Sequence, residues 1–312
     1  MRVLVTGAAG QLGCAMMEEL EKRGHEAVGA VRSVACAPVR HRSCIQMDIT
    51  DRQAVMAAVT ELKPGAIVHC AAWTAVDLAE NEENVRQVWA VNVEGTENIA
   101  LACRAAGSKL VYISTDYVFD GQGTEPWQAD CQTYRPLSVY GRSKLAGEQA
   151  VSRILEQYFI VRTAWVFGLG GRNFIDTILN AGEAFGSVRV VNDQIGTPTY
   201  TRDLARLLTD MIETERYGYY HATNGGGYIS WYDFTLEIYR QAGCAAEVIP
   251  VTTGQYGQSK AVRPFNSRLD TGKLAEMGFE PLPPWQEALG RYLQEKAGGY
   301  GRTDEKIMGC RR

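Results

Sequence analysis

Tyr140-Gly141-Arg142-Ser143-Lys144 sets a phenol and an amine four residues apart, a spacing that puts both on one face if the segment is helical. A phenol with its usual pKa of about 10 is a poor acid or base at neutral pH, and a neighbouring ammonium favours the phenolate and brings its proton into useful range. The same spacing arises by chance in many helices, so it gains weight only from its company. Ser114-Thr115-Asp116, with Thr115 lying 25 residues before the tyrosine, closes a β-rich run and places a hydroxyl at a strand end, where Thr115 can join Tyr140 and Lys144. Such a trio moves a proton to or from an oxygen.

A second constellation opens the chain. Val3-Leu4-Val5-Thr6 leads into Gly7-Ala8-Ala9-Gly10-Gln11-Leu12-Gly13, three glycines spaced GxxGxxG between a strand pattern and a helix pattern. Glycines there permit a tight turn and close approach to a pyrophosphate, whose charge meets free N–H groups at the helix N-terminus. A plain strand-to-helix turn uses glycines too; a strand beginning at residue 2 favours the dinucleotide site. An acid ending the second strand would select NAD by binding the ribose hydroxyl, and here the sequence reads Gly29-Ala30-Val31-Arg32. Arg32 either meets the additional phosphate of NADP or is a solvated loop arginine. Asp48 either lines the adenine pocket or caps the helix starting near Asp51.

These groups need a scaffold, and the pattern supplies one. Short β-rich runs at Arg2–Thr6, Glu26–Val31, Ser43–Met47 and Ala66–Ala71 alternate with amphipathic stretches at 11–23 and 51–62, followed by a helix near 82–106, a strand at Lys109–Ser114, a helix around 138–156 and a strand at Tyr158–Thr163. Strand-helix alternation of this kind predicts an α/β fold with a doubly wound parallel sheet, Rossmann-like, and ligands at its carboxyl edge. Thr50 with Gln53, and Ser230 with Asp233, read as capping boxes. After Trp165 the pattern loosens into shorter elements at Ser187–Val191, 201–214, 230–242 and 284–296, which build a smaller C-terminal substrate lobe. We expect residues 1–165 with a returning segment at about 187–228 to form the dinucleotide-binding domain, about 166–186 and 229–297 the lobe, and 298–312 a loosely ordered tail.

Composition narrows the function class. Of 312 residues, 46% are apolar and 22% charged, enough to bury a core. The net charge of −4 has the wrong sign for gripping nucleic acid or an anionic membrane, and no run reaches the roughly 18 apolar residues a bilayer span requires. Cysteines at 14, 36, 44, 70, 103, 131, 244 and 310 form no CxxC pair, so they read as reduced thiols of a cytoplasmic protein rather than as disulfides or metal ligands.

The glycine loop with Thr115, Tyr140 and Lys144 resembles the extended short-chain dehydrogenase/reductase family. More narrowly, Ser114-Thr115-Asp116-Tyr117-Val118-Phe119-Asp120-Gly121 and Asn192-Asp193-Gln194-Ile195-Gly196-Thr197-Pro198-Thr199 are similar to signatures of the dTDP-4-dehydrorhamnose reductases, as are Ala71 to Asp77, Val139 to Gly147, Arg162 to Gly168, Ser230-Trp231-Tyr232 and Arg263-Pro264 with Ser267. The resemblance implies that Gly7, Gly10, Gln11, Leu12 and Gly13 hold the pyrophosphate of NADPH or NADH, Asp48 and Ile49 its adenine end, and Ala71, Ala72, Trp73 and Thr74 its middle, while Tyr140 and Lys144 reach the nicotinamide ribose. It further implies that Thr115, Asp116, Tyr117 and Trp165 surround a dTDP-linked 4-keto-6-deoxy sugar, and that Asn173 touches its diphosphate. Without it, Tyr117 and Trp165 read equally as core aromatics.

The implied activity is reduction of the 4-keto group of dTDP-4-dehydro-L-rhamnose to dTDP-L-rhamnose by a monomer or homodimer. Two alternatives stand beside it. One is a sugar-nucleotide dehydratase or epimerase of the extended family; dehydratases of this type carry Asp-Glu after the active-site threonine, and this chain has Asp116 followed by Tyr117. The other is a non-catalytic partner resembling the regulatory subunit of methionine adenosyltransferase. Some reductases of this family also dimerise around magnesium through an acid two residues beyond the glycine loop, a place held here by Ala15, after Cys14. Neither side chain can act as such an oxygen ligand, so magnesium is not expected to be required.

Overall fold

The computed structural model of the chain describes residues 1–33, 43–257 and 259–300. Its strands, in chain order, are β1 (Arg2–Thr6), β2 (Glu26–Val31), β3 (Cys44–Gln46), β4 (Ala66–His69), β5 (Lys109–Thr115), β6 (Tyr158–Thr163), β7 (Val166–Phe167), β8 (Ser187–Val191), β9 (Ile195–Gly196), β10 (Thr199–Tyr200), β11 (Gly218–His221), β12 (Ile229–Ser230) and β13 (Glu247–Val251). The helices are α1 (Gln11–Lys22), α2 (Arg52–Leu62), α3 (Val76–Ala79), α4 (Glu82–Trp89), α5 (Thr96–Ala106), α6 (Val139–Ile154), α7 (Phe174–Phe185), α8 (Thr201–Ile212), α9 (Trp231–Ala242), α10 (Thr253–Tyr256), α11 (Gly272–Glu276) and α12 (Trp285–Glu295).

Seven strands form one sheet in the order β11-β6-β5-β4-β1-β2-β3, every neighbouring pair parallel. Such strands are covered on both faces, which is why β1 and β4 read as unbroken apolar runs. One face packs on α1 and α8 through Met16, Met17, Leu20, Leu204, Leu208 and Met211; the other packs on α2, α5 and α6 through Val55, Val59, Ile99, Cys103 and Val151. From β1 the order runs one way to β2 and β3 and the other way to β4 and β5, a switch point that opens a crevice beyond the strands' carboxyl ends. The expected helix near 82–106 is continuous but not uniform: α4 passes into α5 through a π turn, Ala90–Gly95.

A second core joins Phe167, Ile175, Ile178, Val190, Tyr200, Phe234, Ile238, Trp285 and Leu289, drawing on α7, α9 and α12. Here the sequence boundary at 187 needs correction. β8 pairs in parallel with β13, and Val188 and Val190 pack in this second core, so the return to the large sheet begins with α8 rather than at 187. The Thr50–Gln53 capping box is also corrected: Asp51 caps α2, accepting from the backbone of Gln53 and Ala54, because its carboxylate reaches those orphan N–H groups while Thr50 donates instead to Asp48. Ser230 and Asp233 do form a complete capping box at α9. Of the expected loose tail, residues up to Tyr300 continue α12 as a π turn, and 301–312 lie outside the described residues.

Candidate active site

The glycine loop ends β1 at the switch point, and each glycine has a steric reason. Gly7 has φ +65°, and a Cβ on it would lie 2.8 Å from Ala71 N, so the turn passes directly against the chain leaving β4. A Cβ on Gly13 would lie 2.1 Å from Gly7 O, so α1 starts in contact with the loop. Gly10 occupies the N-cap with no side-chain hydrogen bond, and the uncapped first-turn N–H groups are suited to an anion. Gln11 Nε2 donates to Arg172 O at 2.9 Å, while its Oε1 is buried without a partner.

Beyond β4, the peptide of Trp73 is gripped by Asn92, whose Oδ1 accepts from Trp73 N (2.8 Å) and whose Nδ2 donates to Trp73 O (3.2 Å). Ile49 packs into the core, where a Cβ on Gly95 would meet its Cδ1 at 2.8 Å, and its carbonyl accepts from Asn98 (3.0 Å). Asp48 is exposed and accepts from Thr50 N and Oγ1. Arg32 is exposed just past β2.

Tyr140 and Lys144 lie in the first two turns of α6, which Ser138 caps through Gly141 N. α6 sits close to its neighbours because Gly141 and Gly147 carry no side chain: a Cβ would fall 2.4 Å from Tyr117 O and 2.2 Å from Tyr112 Oη, respectively. Thr115, at the end of β5, donates to Asp116 Oδ1 (2.9 Å) and accepts from Tyr117 N (3.3 Å). The Tyr140 ring stands edge-on to Tyr117, centroids 5.7 Å apart. Thr115 and Asp116 at the end of β5 and Lys144 on α6 are buried, and Tyr117 and Tyr140 beside them are half-buried.

The electrostatics depart from the sequence expectation. Burial drives the Tyr140 phenol well above its ordinary value, the charge of Asp116 adds to that rise, and the nearby Thr115 hydroxyl offsets only part of it. Lys144 does not pull the phenol down. Its own pKa falls to about 7 through burial, partly countered by Glu148, and its Nζ lies 4.0 Å from the centre of the Tyr112 ring. Desolvation outweighs the ammonium–phenol attraction expected from spacing alone. Asp116 is raised to about 6 by burial, against the hydrogen bond that Thr115 donates to its Oδ1, while its Oδ2 is buried without a partner.

Across the cleft, Trp165 has φ +50°, a conformation a bulky residue adopts only when its surroundings impose it. Its ring stacks on Trp231, centroids 3.8 Å apart, and a Cβ on Gly196 would touch it at 3.0 Å. Arg263, carried by the segment after α10, forks onto Asp77 with bonds of 2.7 and 3.1 Å, tying that segment to α3. Asn173 is buried at the N-terminus of α7. Its amide caps α7 through Asp176 N and donates to Gly168 O and Tyr292 Oη, so no donor is left over for a ligand.

Motif reasoning gave no role to two buried supports. One is Asn92. The other is Arg162, all of whose guanidinium hydrogens are used: two to Glu148 (2.9 and 2.7 Å), one to Tyr134 Oη (2.9 Å), one to Ala129 O (3.2 Å) and one to His221 Nε2 (3.5 Å). It joins β6 to α6, β11 and the loop after Thr115. Arg162 opens one of the signature segments, but its role depends on partners far apart in sequence, and no local pattern announces Asn92.

Comparison with known proteins settles the family. Residues 1–297 match the family described as RmlD substrate binding domain. The chain belongs to this family. It is 41% identical over 307 residues to a dTDP-4-dehydrorhamnose reductase of Streptomyces griseus, covering 96% of each chain. It is 37% identical to the spore coat polysaccharide biosynthesis protein SpsK of Bacillus subtilis, over 95% of this chain and 98% of that one. Among solved structures, the dTDP-4-dehydrorhamnose reductase of Bacillus anthracis in complex with NADP superposes with a TM-score of 0.86 at 38% identity, covering 94% of this chain and 99% of that one. The doubly wound sheet is therefore a family property.

Proposed function

We propose that this chain reduces the 4-keto group of dTDP-4-dehydro-L-rhamnose to give dTDP-L-rhamnose, using NADPH or NADH. The observation that carries the reading is the edge at the end of β5 where Tyr140 stands edge-on to Tyr117, two residues beyond Thr115, with Lys144 one turn along α6. The residues present fit a nicotinamide dinucleotide: a Cβ on Gly7 or Gly13 would strike the backbone that shapes the loop, and Gln11 Oε1 is a buried acceptor lacking a donor. Gly10, Gln11 and Leu12 would hold the pyrophosphate, and Ala71 to Thr74 the middle of the molecule.

When bound, the cofactor supplies a hydride to the carbonyl carbon. The chain's own part is to protonate the oxygen that becomes an alkoxide. A phenol kept neutral by burial and by Asp116 carries the proton to be donated, and Lys144 would reach the nicotinamide ribose. Thr115 would donate a hydrogen bond near the reacting oxygen once its proton leaves Asp116. Trp165, Tyr117 and Asp116 would border the sugar. Arg32, exposed where a ribose-binding acid is missing, favours NADPH.

Magnesium is not needed for this chemistry, since Tyr140 supplies the proton. The acids one turn beyond Ala15 are engaged elsewhere, Glu18 with Arg202 at 3.0 Å and Glu19 with Lys22 and Arg23. We therefore read the chain as a monomer or homodimer assembled without the metal. A nucleotide-linked sugar substrate suits a cytoplasmic enzyme, and no helix among the described residues is long and apolar enough to cross a membrane.

The test combines purified protein with NADPH or NADH and a dTDP-4-keto sugar formed in place by the 4,6-dehydratase, with or without the epimerase that makes the L-sugar. Cofactor oxidation that requires the epimerase, proceeds at least as efficiently with NADPH, and survives EDTA supports the reading. Oxidation of equal rate without the epimerase points to a 4-keto-6-deoxy-glucose reductase, and none with either sugar removes the assignment.

A further inference from the structure

We propose that His69 and Thr96 are positioning residues, which hold the dinucleotide side of the cleft in register with the helix carrying Tyr140 and Lys144. The inference rests on the cofactor reading above. It starts from a hydrogen-bond chain whose members are all buried, with Thr6 and Ser143 at 0% exposure and His69, Asn92 and Thr96 at 1%.

The direction of every bond follows from counting protons. Thr96 Oγ1 donates to Asn92 O at 2.8 Å, which uses its only hydrogen. The 3.2 Å contact between Thr96 Oγ1 and His69 Nε2 therefore needs the proton on Nε2. With Nε2 protonated in a neutral ring, Nδ1 accepts, so Thr6 Oγ1 donates across their 2.7 Å contact. Thr6 Oγ1 in turn accepts from Ala71 N at 3.2 Å. His69 is locked as one neutral tautomer. Burial and the charge of Lys144 both oppose its protonation, lowering its pKa to about 3.

Each end of the chain reaches a working part. Thr6 immediately precedes Gly7, and Ala71 opens the segment expected along the middle of the cofactor. At the other end, Asn92 sits in the π turn, a feature that often marks functional sites. While gripping the Trp73 peptide, it donates to Ser143 Oγ at 2.9 Å, and Ser143 donates to Tyr140 O at 2.8 Å. A branch runs through Tyr112, which stacks on His69 with ring centroids 5.8 Å apart and donates to Lys144 O at 3.3 Å. One buried network thus fixes the glycine loop, the Trp73 segment and the backbone under both Tyr140 and Lys144. In a low-dielectric interior, breaking one member leaves unpaired groups on both sides.

Thr96→Val and Thr96→Ser separate this role from packing, since valine preserves shape and loses the hydroxyl while serine keeps it. NADPH affinity is read without sugar from quenching of tryptophan fluorescence, beside kcat and the melting temperature. The expectation is that Thr96→Val weakens NADPH about tenfold and lowers kcat by a similar factor, whereas Thr96→Ser stays within about twofold of the unmodified protein in both. Ser143→Ala cuts the chain beyond Asn92, so it should lower kcat while leaving NADPH affinity within about twofold; it carries the test if Thr96→Val does not fold. The proposal is overturned if Thr96→Val changes only the melting temperature, if serine behaves like valine, or if Ser143→Ala leaves kcat unchanged. Because affinity is measured without sugar, loss of the sugar assignment would leave the binding result readable.

Discussion

Tyr140, its pKa raised by burial and by Asp116, stays protonated in the free protein and so carries the proton that the developing alkoxide takes. This suits reduction and gives the residue scale its two predictions. Tyr140→Phe keeps the ring and removes the proton, so kcat at saturating sugar should fall at least about a hundredfold while NADPH affinity stays near normal; near-normal turnover would remove Tyr140 from the mechanism. Lys144 titrates at about 7 in the free protein. It is charged below that pH and neutral above it, so kcat/KM for NADPH should decline as pH rises through about 7, and Lys144→Met should flatten the decline along with lowering the rate. A profile that keeps its inflection in Lys144→Met would assign it to another group. That Tyr140 and Lys144 belong together was legible from their spacing. That burial outweighs their attraction was not, because desolvation depends on what covers the helix from other parts of the chain.

At the scale of elements, the β1–α1 turn works by contact between backbones. Gly13→Ala would put a methyl 2.1 Å from Gly7 O, and helix or loop must move. We expect at least about a tenfold loss of NADPH affinity together with a lower melting temperature, while Gly254→Ala, where a Cβ meets nothing within 4 Å, changes neither. Isothermal titration checks both variants, and unchanged affinity in Gly13→Ala would show that the loop does not cradle the cofactor. The strands of the first half were readable because both faces are buried and their apolar runs are unbroken. The membership of β8 was not. Its five residues look like any strand, and only pairing with β13, 60 residues on by their register, assigns it to the lobe. The π turn was equally hidden, since its periodicity differs from an α-helix by a single register step inside one amphipathic run.

For the whole molecule, two buried histidines couple stability to pH. His69 and His221 both fall from 6.5 to about 3, mainly through burial, so between those values the unfolded chain binds protons that the native chain refuses. Stability must then drop as pH falls below 6.5. Asp116, raised from 3.8 to about 6, binds its proton in the native state and opposes the trend by one proton over its own window. His221→Gln, which keeps an acceptor for Arg162, should lessen the acid dependence by about 1.4 kcal/mol per pH unit, one proton's worth. Urea unfolding from pH 6.5 to 4.5 measures this, and parallel curves for variant and unmodified protein would refute it. By itself the sequence determined the alternating sheet, the glycine turn and the placing of Tyr140 and Lys144 one turn apart on a single helix, because local periodicity, backbone freedom and helical spacing act over a few residues. Tertiary structure decided what lies beside those groups. Asn173 turned inward to cap α7, Arg162 gathered distant acceptors, and His69 and Thr96 joined the cofactor loop to α6, all through contacts whose free energy depends on burial that only the completed fold creates.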